Sequence, residues 1–355
     1  MSKTLLVMAG GTGGHVFPGL AVADILRGRG WKVVWMGNPD SFEARAVPAR
    51  GYEMAWVRFA ALRGKGLWRK LLLPLNLLSG FWQALREIRR IEPGVVLGMG
   101  GYVSFPGGMM AALLGRPLLI HEQNSIAGLA NRVLARVADR ILCGFPDALP
   151  KGQWVGNPVR PEIAGLPQPA ARFASRGGAT PLRLLVLGGS LGAAAINEVV
   201  PKGLALIPEA KRPTVIHQAG EKHLAALEAN YAAAGVRADC VAFIQDMAGA
   251  YAWADLVLCR AGALTVAELA AAGVASILAP FPHAVDDHQT SNAKFLSAAG
   301  AAVLLPQHEM TPESVALIGN CAPEQLLRMA ECARALARPE AAEEVARACE
   351  EMCKT

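Results

Sequence analysis

Leu5-Leu6-Val7-Met8-Ala9-Gly10-Gly11-Thr12-Gly13-Gly14 returns half the chain further on as Leu184-Leu185-Val186-Leu187-Gly188-Gly189-Ser190-Leu191-Gly192-Ala193. Each is an unbroken apolar run of strand length that ends in glycines and leads into a segment of helical pattern. Strand, glycine turn and helix in that order open a doubly wound unit. Similar runs follow each copy. They are Lys32–Met36, Val95–Met99, Pro117–Ile120 and Arg140–Cys143 in the first half, with Thr4–Ala9 leading. The second half has Arg183–Leu187, Thr214–Gln218, Asp255–Cys259, Ala275–Ala279 and Ala302–Leu305. Runs that are apolar at consecutive positions are buried on both faces, which predicts parallel sheets covered by helices. The class is α/β, with two tandem Rossmann-like doubly wound domains. A stretch rich in proline, alanine and arginine, from Asn157 to about Pro181, lies between them. A ligand is expected in a deep cleft where the carboxyl ends of the two sheets face each other.

Composition removes other classes. Of 355 residues 53% are hydrophobic and 18% charged, which excludes disordered, collagen-like and coiled-coil chains. The formal net charge of +6 is modest for this length, and no nucleic-acid partner is expected. Seven cysteines, scattered and without a C-x-x-C pair, predict neither a disulfide framework nor a zinc site. The N-terminus lacks the long apolar segment of a secretory signal, so a reducing, cytoplasmic compartment is expected. The most apolar window, Leu71 to Trp82, covers about 18 Å as a helix against a hydrocarbon core of about 30 Å. It cannot cross a bilayer but can lie on one. Between Arg58 and Ile91 eight basic residues and one acidic residue flank it, so Lys70, Leu71, Leu75, Leu78, Phe81 and Trp82 form a candidate patch for an anionic membrane surface. The competing reading is an ordinary helix whose apolar face packs on the sheet.

The polar chemistry collects at strand ends. Gly10-Gly11-Thr12-Gly13-Gly14-His15 can bring backbone N–H groups and a helix N-terminus to an anion, as a diphosphate cradle. The G-x-x-x-x-G-K-[ST] phosphate loop is absent. The glycines do not follow G-x-G-x-x-G, and no acidic residue closes Lys32–Met36 to hold a ribose. His15 is a candidate base, since imidazole titrates near neutral pH and can take a proton from a hydroxyl. Gly98-Met99-Gly100-Gly101-Tyr102-Val103-Ser104 and His121-Glu122-Gln123-Asn124 stand at two further strand ends. In the second half Cys259-Arg260-Ala261-Gly262 leads into Ala263–Glu268, where N–H groups can meet phosphate and Glu268 can accept from vicinal hydroxyls. The loop from Pro280 to Gln289 is rich in groups that bind sugar hydroxyls. Asp286, Asp287 and His288 there read as capping and sugar contacts rather than metal ligands. With no Asp-x-Asp pair, neither a metal nor a cofactor is expected.

Taken in order, GGTGGHVFPGLAVA at 10–23, LRGKG at 62–66, VLGMGGYVSFPGG at 96–108, HEQNSIAGLANR at 121–132, VGNPVR at 155–160, GGS-x-GA at 188–193, CRAGALTVAEL at 259–269 and DHQ-x-x-NA at 287–293 strongly resemble the MurG family. These are the bacterial UDP-N-acetylglucosamine:undecaprenyl-pyrophosphoryl-MurNAc-pentapeptide transferases of peptidoglycan synthesis. The resemblance implies a GT-B fold. It implies an N-terminal acceptor (lipid I) and membrane-associating domain of residues 1–158 plus 340–355, the final helix crossing back onto it. Residues 159–339 would form the UDP-GlcNAc-binding domain. It implies donor contacts at Thr12, Gly13, Gly14, Asn124, Arg160, Ser190, Ile244, Ala263, Leu264, Thr265, Val266, Ala267, Glu268 and Gln289. Acceptor contacts would be Gly11, Gly100, Gly101 and Tyr102, with His15 as base and Glu122 as the second catalytic candidate. Leu191 stands where the family often has Gln, which leaves backbone contacts to the diphosphate there. The implied reaction is inverting transfer of GlcNAc to the 4-hydroxyl of MurNAc in lipid I. It would occur on the cytoplasmic face of the inner membrane, with cell-wall synthesis and division proteins as partners. Three alternatives stand beside it: a related transferase acting on another lipid, a sugar-nucleotide epimerase, and a non-catalytic scaffold. The GGY and HEQN segments argue against the first. The second needs carboxylates that abstract protons.

Overall fold

The computed structural model describes residues 3–59, 73–176, 181–189, 192–282 and 284–354. LRGKG at 62–66, Lys70, Leu71, Ser190 and Leu191 therefore lie outside the described residues.

The chain divides into two compact units, Met1–Val159 with Arg338–Thr355, and Arg160–Ala337. In the first, β1 (Thr4–Ala9) is buried along its whole length. It pairs in parallel with β2 (Lys32–Gly37) on one side and β4 (Val95–Gly100) on the other, Leu6 lying opposite Val34 and Val96. With β3 (Glu53–Trp56), β5 (Leu118–Glu122), β6 (Arg140–Cys143) and β7 (Gln153–Trp154) the order is β3-β2-β1-β4-β5-β6-β7. All these pairings are parallel. Alternate residues of β1 feed two cores: Leu5, Val7 and Ala9 on one face, Leu6 and Met8 on the other. A fully buried leucine contributes roughly 1.5–3 kcal/mol, so an uninterrupted run holds the centre of the sheet. The final helix, Ala341–Lys354, sets Val345, Ala346, Ala348, Cys349 and Cys353 into the first of these cores. Arg29 pairs with its Glu343 and Glu350.

The second unit repeats the plan as β10-β9-β8-β11-β12-β13. Its strands are β8 (Arg183–Leu187), β9 (Thr214–Gln218), β10 (Asp239–Val241), β11 (Leu256–Cys259), β12 (Ala275–Leu278) and β13 (Ala302–Leu304). In each sheet the strand order reverses beside the first strand, between β1 and β4 and between β8 and β11. Such a switch point opens a crevice at the carboxyl ends of the strands.

Two sequence expectations shift. Pro117 precedes β5 rather than starting it, since proline has no N–H for the ladder. The strand instead runs on through His121 and Glu122, which pair with Leu142 and Cys143. The short strands β3, β7 and β10 stand beyond the ten expected runs. The apolar segment is a helix, Leu73–Ile91. Ala84 and Ile88 are buried, and Gly80 lies against Phe59. Among the described residues no helix is long and apolar enough to cross a membrane.

Candidate active site

In the first unit the switch point is occupied by the turn after β1 and the turn after β4. Gly11 has φ +91, and its N–H donates to Glu43 Oε2 at 2.9 Å. Glu43 is wholly buried, and its Oε1 accepts from Asn38 N–H at 3.1 Å. One carboxyl group thus ties the turn after β1 to the turn after β2. Glu43 escaped the sequence reading because its partners are scattered along the chain. The Gly11 N–H is consumed by this bond, so the expected anion cradle is reduced. What remains is the N–H groups at the start of the helix Gly13–Gly28.

His15 stands on the first turn of that helix. Its Nδ1 lies 2.8 Å from Gln123 Oε1, while Nε2 makes no hydrogen bond among the described residues. Gly100, at φ +92, leaves room for the ring: a Cβ there would sit 3.0 Å from His15 Cε1 and Nδ1. Gly101, at φ +83, passes against the Gly10 carbonyl where no side chain fits. Both glycines, expected to touch the acceptor, also carry a packing task. Gly11 and Tyr102 do line a cavity of about 480 Å³ with Pro39, Asp40, Ser41, Phe42 and Arg45. Burial raises the pKa of the Tyr102 phenol.

Glu122 is a correction. It is 2% exposed. Its Oε1 accepts from the N–H and side-chain amide of Asn124, and its Oε2 from Gly128 N–H and Asn131 Nδ2. A buried carboxyl group with four donors organises its loop and has no free lone pair aimed outward. It does not fit a catalytic base. Asn124 is held by the same group.

In the second unit the turn after β8 includes Gly189, φ +76, and Gly192, φ +75. Gln218 clamps it: Oε1 accepts from Gly189 N–H at 3.0 Å, and Nε2 donates to the carbonyls of Gly189 and Ala242. After β11 comes the helix Ala263–Ala272, with Gly262 as its N-cap. Ala263, Leu264 and Thr265 occupy its first turn, where N–H groups have no intrahelical acceptor. Val266 differs from the expectation. Its side chain is fully buried and its N–H already donates to the Gly262 carbonyl, so it offers a ligand nothing. Ala267 is half-buried on the second turn.

Glu268 follows on the same turn. Its Oε1 accepts from Arg160 Nη2 at 2.8 Å and Nε at 3.1 Å, and its Oε2 from the Tyr251 hydroxyl at 3.2 Å. Burial raises the Glu268 pKa, opposed by the Arg160 guanidinium. Tyr251, also absent from the sequence reading, is buried at the back of this pair. Two expected donor contacts, Arg160 and Glu268, are thus brought together beside a helix N-terminus. Ile244 is half-buried in the loop after β10, and Gln289 Oε1 accepts from Phe281 N–H at 2.9 Å across the following loop. Among the described residues no three His, Cys, Asp or Glu side chains gather as a metal site.

Residues 5–143 match the glycosyltransferase family 28 N-terminal domain, and residues 183–347 match the glycosyltransferase family 28 C-terminal domain. The chain is 69% identical over 354 residues to the UDP-N-acetylglucosamine–N-acetylmuramyl-(pentapeptide) pyrophosphoryl-undecaprenol N-acetylglucosamine transferase of Dechloromonas aromatica, covering 100% of both chains. It is 62% identical over 352 residues to the protein of that name from Cupriavidus metallidurans, covering 99% of this chain and 98% of the other. Among solved structures it is similar to MurG of Acinetobacter baumannii, with a TM-score of 0.87 and 40% identity over 98% of this chain and 99% of that one. The UDP-bound Alr3699/HepE of Anabaena, at 14% identity, a TM-score of 0.65 and 99% and 100% coverage, shares the fold alone.

Proposed function

This chain belongs to glycosyltransferase family 28, in its MurG branch, and we propose that it transfers GlcNAc from UDP-GlcNAc to the MurNAc 4-hydroxyl of undecaprenyl-diphospho-MurNAc-pentapeptide, giving lipid II and UDP. The substrates rest on full-length kinship to transferases of that name. The observation that carries the chemistry is His15, tied back through Nδ1 with Nε2 left open at the switch point of the first sheet. The hydroxyl oxygen forms a bond to the anomeric carbon from the face opposite the diphosphate. The bond to the diphosphate oxygen breaks with its electron pair, so the configuration inverts. The hydroxyl proton passes to His15 Nε2. A general base of this kind contributes roughly 10²–10⁴-fold. Charge building on the departing diphosphate meets the N–H groups of Ala263, Leu264 and Thr265 and the Arg160 guanidinium. Glu268, once released from Arg160, accepts from ribose hydroxyls. In this reading the second unit holds the donor and the first holds lipid I, with Gly11 and Tyr102 at the acceptor cavity. The related-transferase and epimerase readings have no comparable kinship, and the saturated Glu122 removes one carboxylate an epimerase would use.

A lipid acceptor requires access to a bilayer, and the first unit carries a surface for it. Leu75, Leu78 and Trp82 are 64%, 67% and 62% exposed along one stretch of helix. Arg86 lies over the Trp82 ring. Phe81 does not join them, because its ring packs on Phe105 with centroids 5.6 Å apart. Peripheral attachment to the anionic cytoplasmic face of the inner membrane follows.

The test is to incubate the purified protein with radiolabelled UDP-GlcNAc and a short-chain lipid I analogue, with and without His15→Ala. Labelled disaccharide product from the wild type and a loss of roughly 10²–10⁴-fold in the variant is the expected result. No product from the wild type overturns the substrate assignment; equal product from both overturns His15 as base.

A further inference from the structure

We infer that Gln123 and His121 together hold His15 in the tautomer that carries its proton on Nδ1 and leaves Nε2 bare, and so act as positioning residues. The importance of that tautomer rests on the reading of His15 as base, but the assignment itself follows from a chain of hydrogen bonds read from one end. The fixed end is the backbone carbonyl of Gly156, which can only accept. Its peptide is anchored, since Gly156 N–H donates to the Cys143 carbonyl. His121 Nε2 lies 2.9 Å from the Gly156 oxygen, so that nitrogen carries a proton. His121 is completely buried, and burial pushes its pKa down to about 4, so the ring is neutral near pH 7. A neutral imidazole with its proton on Nε2 has a lone pair at Nδ1.

That lone pair faces the Gln123 amide at 3.0 Å, so the group turned toward it is the NH₂. A second contact demands the same orientation: Nε2 of Gln123 also donates to the His121 carbonyl at 3.1 Å. Amide oxygen and nitrogen are told apart by their partners, and here both partners are acceptors. A flipped amide would set its oxygen against a lone pair and a carbonyl. Gln123 is itself buried, and Asn157 Nδ2 donates to its carbonyl at 2.9 Å. Its Oε1 is thus the atom presented to His15 Nδ1 at 2.8 Å. An acceptor there requires Nδ1–H, and the remaining ring nitrogen must be the bare one. Free neutral imidazole in water favours the opposite tautomer. The relay selects the form able to take a proton at Nε2, as the hydrogen bond made by one ring nitrogen fixes the state of the other.

The test uses the full-length protein with ¹⁵N-labelled histidine and long-range ¹H–¹⁵N correlation spectra, His15 being assigned from the signals lost in His15→Gln. In the wild type, Nδ1 should show the shift of a protonated ring nitrogen and Nε2 that of a bare one. Gln123→Met fills similar space without an oxygen. It should move His15 toward Nε2–H and lower kcat about 10- to 100-fold, a part of the roughly 10²–10⁴-fold a general base supplies, with KM for UDP-GlcNAc unchanged within about twofold. Gln123→Glu keeps an acceptor facing Nδ1 and should restore the Nδ1–H pattern, while its second oxygen replaces the NH₂ that faces the His121 lone pair and carbonyl and should lower the melting temperature. A wild-type His15 protonated on Nε2 overturns the inference, and that result does not depend on the Gln123 variants. An unchanged tautomer in folded Gln123→Met overturns it equally. The expected tautomer in the wild type together with full activity in His15→Gln would uphold the relay and refute His15 as base, so the two failures are distinguishable.

Discussion

Gly100→Ala asks whether the His15 imidazole must sit where it does. The substitution carries two costs that the structure separates. The first is backbone strain, because φ at Gly100 is +92 and an L side chain rarely adopts it. Such a conformation costs about 1–3 kcal/mol. At roughly 2–4 °C per kcal/mol for a domain of this size, the thermal midpoint should fall by several degrees. The second cost is local. The new Cβ would lie 3.0 Å from His15 Cε1 and Nδ1, so the ring must give by a few tenths of an ångström. It cannot do so freely, being bound to Gln123 at 2.8 Å. A misplacement of about 1 Å can cost roughly 10²-fold in rate, so a loss of about 10- to 100-fold in kcat is expected. Gly115→Ala supplies the control. Its φ is +62 and nothing lies within 4 Å of an added Cβ, so it carries strain without a clash. Both variants should lose stability in a thermal melt. Only Gly100→Ala should lose kcat in the radiolabel assay, run well below either transition. Equal kcat in the two variants would refute the steric argument.

Glu268→Gln should weaken UDP binding about 10- to 100-fold, the value of one or two hydrogen bonds to a charged group. Its melting temperature should rise, because burial makes the charged form costly in the folded state; titration calorimetry and a melt check both, and unchanged UDP affinity would remove Glu268 from the donor site. Glu43→Gln swaps one acceptor oxygen for an NH₂ facing a backbone N–H, at about 1–3 kcal/mol, and a melting temperature equal to wild type would contradict that role. Stability should fall with acid before the carboxylates titrate. Burial lowers His121 to about 4 and His217 to about 3, so between pH 6.5 and 5 the unfolded chain binds more protons than the native one. Stability is complete above pH 6.5 and is lost as pH drops toward those values, whereas a flat melting temperature across pH 6.5–5 would show that these rings are not held neutral. Leu75, Leu78 and Trp82 changed together to Ser should abolish sedimentation with phosphatidylglycerol vesicles without lowering the melting temperature. Retained binding would place the membrane surface elsewhere.

The centre of each sheet was legible because β1 and β8 are unbroken apolar runs ending in glycine, a pattern that burial on both faces imposes. The edges were not. In β3 only Ala55 is fully buried, while β7 is two residues long and β10 three, too short for any periodicity to register. At the site, residue types could be read but partners could not. Glu122 stands at a strand end like a catalytic carboxylate, and only the fold brings Asn124, Gly128 and Asn131 onto its oxygens. Glu43 reads as a surface residue on a short helix, since its bond to Gly11 spans 32 positions. Tyr251 and Gln218 escaped for the same reason. Val266 was carried along by its neighbours, although helical geometry turns it into the core.

The two switch points share a plan and differ in what they leave free. Each glycine turn is fixed by a side chain from elsewhere in its own unit: Glu43, on the short helix after β2, holds the first, and Gln218, at the end of β9, the second. Glu43 offers oxygens only to the N–H groups it meets and takes up the Gly11 donor, in a unit whose open group is an imidazole nitrogen. Gln218 is uncharged. It satisfies both the N–H and the carbonyl of Gly189 without setting an anion beside the turn where, on the proposed reaction, negative charge accumulates. A carboxylate there would oppose a diphosphate, since charges buried in low dielectric act strongly over such distances. The same unit carries the N–H groups that open the helix Ala263–Ala272 and the Arg160 guanidinium, all of positive character. On the proposed reaction, proton removal belongs to the first unit and charge withdrawal to the second. On that proposal the duplicated fold serves two opposite electrostatic tasks, and the acidic clamp under the first turn and the neutral one under the second agree with that division.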